Sequence, residues 1–185
     1  METERFPVIR VDFIELFLKH ARHVLQEVYL PRIERCLTLL PQKEIWWRPH
    51  STSNSVGNLV LHLEGNVRQW IISGFGGAPD QRERDKEFAA QGRLRRRELL
   101  QHLRGTVNEA CCVLAKLTHQ DLARPRVIQG YRLTGFQALY HVTEHFAYHA
   151  GQIILITKMK RRRDLKFTHL PKHRKKPAPR TLPAV

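Results

Sequence analysis

Three histidines, His141, His145 and His149, recur every four residues in the last third of this 185-residue chain. At 100° per residue each step of four drifts by only about 40°, so on a helix the imidazoles form one stripe. A pair at this spacing can reach a single metal ion, the arrangement metal-binding helices use. All three cannot easily share one ion, because the outer two would lie ~12 Å apart along the axis. Either His141 with His145 or His145 with His149 must act, and a further ligand must come from elsewhere. His62 is the strongest candidate: it sits in Leu-Val-Leu-His-Leu-Glu-Gly-Asn, where an imidazole among leucines needs a polar reason. A helical wheel puts it on the flank beside Leu59 and Asn66, so it serves only if the helix bearing the other histidines packs there.

The nearest carboxylates in sequence are Glu144, beside His145, and Glu64, two positions after His62. Neighbouring helical positions point ~100° apart, so supporting or surface roles are expected for both. Asn66, one turn after His62, could orient that imidazole or a bound water. Gly151 permits close helix approach, at roughly 1 kcal/mol of helix stability relative to alanine. Trp46, Trp47, Trp70 and Tyr148 are candidates to line a substrate cavity, although aromatic residues at such spacings more often fill a core. The run Arg82 to Glu87, with Arg48, could receive an anionic substrate, while alternating charges are more often a solvated or internally paired loop. There is no glycine-rich phosphate loop, no Ser/His/Asp arrangement and no pair of catalytic carboxylates. No catalytic residue and no organic cofactor site is assigned.

These groups need long helices to position them, and the apolar periodicity supplies four. The first spans about residues 12 to 40, with Asp12 at its start and Pro31 inside it, where a lost backbone hydrogen bond predicts a bend. Residues 41 to 53 read as a loop packing back on the core. Asn54 or Ser55 caps a second helix that runs to Gly74. A long loop follows to about Gly92, and a third helix covers about 94 to 118. After a connection containing Pro125 and Gly130, Thr134 caps a fourth helix reaching about Lys160. Apolar residues surround that helix on nearly all sides, which predicts burial in a core or an interface. Four long helices without a convincing strand mean an all-α four-helix bundle.

The net charge is +15, but +10 of it falls within residues 158 to 185, which hold eleven Lys and Arg against Asp164. That segment contains Pro171, Pro177, Pro179 and Pro183 and is read as a disordered tail from residue 161 onward, behind a domain of residues 1 to 160. It has little aromatic interleaving beyond Phe167 and no docking fold, so nucleic acid is disfavoured as a partner. Cys36, Cys111 and Cys112 have neither disulfide nor zinc-knuckle spacing and are read as reduced, mostly buried apolar residues. No apolar run approaches the ~18 residues of a membrane span, and the acidic N-terminus does not resemble a secretory signal. A cytoplasmic location is expected.

The string His62-Leu63-Glu64-Gly65-Asn66, preceded by Arg48-Pro49 and Asn54-Ser55 and followed by Gln69-Trp70, resembles the DinB-like superfamily. So does His145-Phe146-Ala147-Tyr148-His149-Ala150-Gly151-Gln152-Ile153, where histidine-x-x-x-histidine-x-Gly-Gln closes a last long helix. Arg84-Asp85-Lys86-Glu87-Phe88 looks like a branch of that superfamily known only as uncharacterised domains. The resemblance covers about residues 8 to 160. It implies a DinB-like four-helix bundle, often dimeric, holding a divalent metal, commonly nickel or zinc, on three histidines from two helices. Carried over by position, the metal ligands are His62, His145 and His149, with His141 a neighbour one turn earlier. Some relatives are transferases or isomerases that use low-molecular-weight bacterial thiols, and others are called metal-dependent hydrolases.

The expected function is therefore a divalent-metal-binding protein, a thiol transferase or hydrolase acting on a small molecule. The alternatives are a non-catalytic bundle whose metal pins two helices together and a protein that uses its basic tail on nucleic acid. A homodimer is an open expectation, since full burial inside one bundle explains the apolar fourth helix equally well.

Overall fold

The computed structural model describes residues 12–168, and the proline-containing part of the basic tail, from residue 169 on, lies outside them. The first long helix consists of α1 (Phe13–His23), a π-helical turn (Val24–Tyr29) and α2 (Leu30–Leu39). Asp12 caps it, its Oδ1 accepting hydrogen bonds from the Ile14 and Glu15 amides. The discontinuity expected at Pro31 is accommodated by the π turn: the Leu30 amide reaches back five residues to the Leu25 carbonyl, and Pro31 falls in the first turn of α2, where no N–H is required.

After the short α3 (Gln42–Ile45), the second long helix is α4 (Val56–Val67), continued by a π-helical turn (Arg68–Ser73) to Gly74. Of the two candidate caps it is Ser55 that acts, through a reciprocal capping box with Asn58. The long loop that follows contains a six-residue helix, α5 (Arg84–Ala89). The third long helix is α6 (Arg96–Leu114), and α7 (His119–Ala123) leads from it to the last connection. There the expectation of no strand is corrected. β1 (Pro125–Ile128) and β2 (Tyr131–Thr134) form an antiparallel hairpin in which Val127 faces Arg132. Its two-residue turn, Gln129-Gly130, has positive φ at both positions, the geometry that matches strand twist in a tight hairpin. Four-residue strands are too short for alternation to stand out, and Gln-Gly is a weaker turn signal than Asn-Gly.

Thr134 caps α8 (Gly135–Arg161), the fourth long helix. Its inner face, with Leu139, Val142, Phe146 and Ile153, is fully buried against the other helices. The all-round burial expected for it is half right, because Phe136, Tyr140, Tyr148, Leu155 and Met159 lie exposed on its outer face. The bundle also continues beyond the expected boundary at residue 160: Leu165 is 1% exposed, and the Phe167 ring lies under the guanidinium groups of Arg32 and Arg35. Leu165 thus joins the buried core and Phe167 meets α2, from a segment whose charge had placed it in the tail. All three cysteines are free, two of them buried, and among the described residues no helix is long and apolar enough to cross a membrane.

Candidate metal centre

The π turn at the end of α4 and the long α8 set two histidine-bearing faces against each other. Trp70 on the π turn meets His141 at a tilt, ring centroids 4.3 Å apart, and His62, two turns earlier, meets His145 and His149. The Nε2 atom of His145 lies 3.0 Å from Nε2 of His62 and 3.2 Å from Nε2 of His149. These three residues offer ring nitrogens that all lie within 4.8 Å of one another. Of the two histidine pairs left open on α8, His145 and His149 converge with His62, while His141 packs beside His145 at 5.3 Å between ring centroids and stays outside the group.

The outward-facing nitrogens favour one tautomer for two of the rings. His62 Nδ1 lies 2.9 Å from Glu87 Oε2, and His149 Nδ1 lies 2.7 Å from the Gln152 side-chain oxygen. The Arg82 guanidinium also lies 3.1 Å from His62 Nδ1, but it already donates to Glu87 and Gln69; with each Nδ1 proton given to its acceptor, Glu87 or Gln152, each Nε2 presents a lone pair to the shared point. His145 Nε2 cannot satisfy this arrangement. A proton there can point at only one of its two neighbours, and its buried Nδ1 has no partner. A cation at the convergence accepts all three lone pairs at once, and an all-imidazole donor set suits borderline divalent metals. The residues therefore fit a metal.

The Glu87 carboxylate was not expected near His62. It is 25 residues away in sequence, on α5, and is fixed there by other groups. Buried Asn58 shares its amide hydrogens among the carbonyls of Glu87, Phe88 and Ala90, and Arg48 donates to the Phe88 carbonyl at 2.6 Å. Arg82 grips both Glu87 oxygens, at 2.7 and 3.0 Å, and donates to Gln69, whose amide in turn donates to Asp80. The ends of the mixed-charge run, Arg82 and Glu87, are thus paired with each other, with Arg48 and Arg82 committed to positioning α5. The side chains of Arg82 and Glu87 are only 5% and 10% exposed, while Glu83 to Lys86 between them are open to solvent. Burial alone would raise the Glu87 carboxyl, but hydrogen bonds from His62 and Arg82 and the Arg82 charge outweigh it and hold the pKa below the usual range. The signal for this residue lay in the Arg84-to-Phe88 string; nothing in its charge pattern pointed to His62.

The other candidates fall elsewhere. Glu64 approaches His102, Arg68 and Thr106, and burial raises its carboxyl, while Glu144 is exposed. Asn66 does not orient His62; its Oδ1 is buried without a partner. Trp46 packs on Gly57 and donates to the Leu94 carbonyl, and Trp47 lies under Lys160. Tyr148 is exposed with its edge against His149, so among the four aromatic candidates only Trp70 lines the cavity. That cavity, of about 690 Å³, has His62, His145 and His141 in its wall.

Burial and the neighbouring His149, His62 and His141 push the His145 pKa down to about 3, and burial also lowers His149 and His141. An unfolded imidazole takes up a proton near pH 6.5, whereas the folded His145 ring stays neutral far below that. Stability is therefore fully present above about pH 6.5 and drains as pH falls, by at most about 1.4 kcal/mol per pH unit for each proton, less where solvent screens a half-buried ring. Thermal melting of chelator-treated protein between about pH 7.5 and 5 should show a falling midpoint. A flat profile would contradict neutral, half-buried histidines.

A family described as "Protein of unknown function (DUF1572)" matches residues 12–174. Among solved structures, a DinB-like protein from Bacillus cereus superposes with a TM-score of 0.62 at 17% identity, covering 80% of this chain and 92% of that one. A DinB-like protein from Bacillus subtilis gives 0.58 at 18% identity, with 77% and 91% covered. A mycothiol-dependent maleylpyruvate isomerase also gives 0.58, at 16% identity, with 78% of this chain and 63% of that chain covered. These likenesses show the DinB-like fold. No curated protein matches the sequence.

Proposed function

The chain belongs to the DUF1572 family and has a DinB-like fold, and from that premise we propose that it binds one divalent metal ion, nickel or zinc, through His62, His145 and His149 and acts on a small molecule beside it. The observation that carries this reading is the convergence of three Nε2 atoms next to a cavity that two of the three rings help to wall. When bound, the ion supplies Lewis-acid chemistry that brings the pKa of a water or thiol toward neutrality. Glu87 and Gln152 hold the protons of His62 and His149 on Nδ1, keeping their Nε2 atoms free to ligate. Trp70 and His141, in contact with each other, line the cavity beside the histidine group. Transfer of a low-molecular-weight thiol is the favoured reaction, supported by the fold shared with the mycothiol-dependent isomerase; hydrolysis is the second.

Elemental analysis of the purified full chain should find about one nickel or zinc per chain. Turnover of a thiol and electrophile pair, or of a hydrolysable ester or amide, should vanish on chelation and return with the ion. Absence of a stoichiometric ion removes the reading. An ion that is present and closed to added ligands, with no turnover, would make it a brace between α4 and α8.

A further inference from the structure

The charge of the cavity wall narrows the substrate class. Three arginines, Arg82, Arg84 and Arg132, line it, together with Gln129, Gln137 and Tyr131, and no aspartate or glutamate does. Arg82 is balanced by Glu87. Arg84 and Arg132 have no carboxylate partner among the described residues, so two guanidinium groups border the space without a counter-charge. Both are held on positioned elements. The Arg84 guanidinium lies 4.8 Å from the centroid of Phe88, whose ring packs at a tilt against His62 with centroids 4.7 Å apart, which puts the charge two ring contacts from the histidine group. Arg132 comes from β2, and the hairpin is tied to the end of the second helix by Arg126 donating to the Gly74 carbonyl and by the Trp70 indole donating to Gln129.

A concave wall of one sign concentrates ligands of the other, and guanidinium groups match carboxylate and phosphate oxygens geometrically. A volume of about 690 Å³ suits a small organic molecule. Resting on the metal reading above, we propose that the cavity takes a small molecule bearing an oxyanion, a carboxylate or a phosphate. Arg84 and Arg132 hold that group, and the reacting end of the molecule points to His62 and His145. The wall disfavours cationic substrates, which would meet unpaired like charge.

The test titrates inorganic phosphate and succinate separately into the full chain at low salt, with the metal loaded and with it removed by chelator. Arg84→Gln and Arg132→Gln should each weaken binding about 10-fold, and the double variant more, with metal content and melting temperature unaltered. Arg163→Gln, which loses the same charge from a residue exposed like Arg84 and Arg132 but lying past the C-terminal end of α8 and outside the cavity wall, should change little. Tighter binding of phosphate or of succinate identifies which oxyanion the site prefers. The proposal is overturned if neither probe binds, if the cavity variants match wild type, or if Arg163→Gln weakens binding as much as they do. Persistence of the arginine effect in stripped protein separates this site from an anion held only by the ion. If the purified chain carries no metal, the metal reading fails while the stripped-protein titrations still decide the anion site.

Discussion

His145→Ala is expected to abolish stoichiometric metal binding, whereas His141→Ala, one turn away, should retain it. His145 is the common member of the group: both short Nε2 contacts, at 3.0 and 3.2 Å, are made by its ring. Without it two imidazoles remain on separate helices, a weak bidentate site. Loss of a group that merely supports a ligand costs 10- to 100-fold in affinity, so loss of the central ligand should exceed ~100-fold. An ion present at about a thousand times its Kd stabilises the native state by about 4 kcal/mol, roughly 10 °C in melting temperature for a domain of this size. The loaded-minus-stripped difference should therefore disappear in His145→Ala and survive in His141→Ala. Elemental analysis and paired melting curves check this. Equal metal content in His145→Ala and wild type would remove this group as the site.

Glu87→Ala should be the most destabilising change near the site. The carboxylate is shared by His62 and by both donor arms of Arg82, and removing it leaves a guanidinium that is 5% exposed without a counter-charge. Breaking such a buried pair from one side costs about 3–5 kcal/mol, and the freed His62 ring should lower metal affinity by a further 10- to 100-fold. Glu87→Gln keeps an acceptor for His62 Nδ1 and should retain most of the metal affinity while losing part of the stability. Denaturant midpoints with an unchanged m-value measure the first effect, and metal titration measures the second. A cost below about 1 kcal/mol for Glu87→Ala would show that the Arg82–Glu87–His62 network is not closed in solution. Gly65→Ala probes the same packing from the other side, because a Cβ there would collide with Glu87 Oε1.

Much of the scaffold is legible along the chain. Leu59, Leu63 and Val67 on α4 and Leu139, Val142, Phe146 and Ile153 on α8 repeat at helical spacing, and all are buried. Asp12, Ser55 and Thr134 each cap the helix they precede. The hairpin between α7 and α8 is not legible, because strands of four residues gain their ordering from packing against Gly74 and Trp70 and not from local preference. Leu165 and Phe167 were hidden by the basic residues around them, since net charge over a window says nothing about two apolar side chains that find a partner surface.

The sequence by itself determined that His141, His145 and His149 share one stripe, because a fixed rotation per residue is a local property of the helix. It left open which pair acts, and it placed His62 on a flank. Only the tertiary structure decided that His145 and His149 meet His62, since that depends on how α8 and α4 are aligned along each other. The same holds for Glu87: Asn58, Arg48 and Arg82 fold the loop onto α4, and a proximity closed by hydrogen bonds between residues far apart in the chain leaves no periodic trace in the sequence.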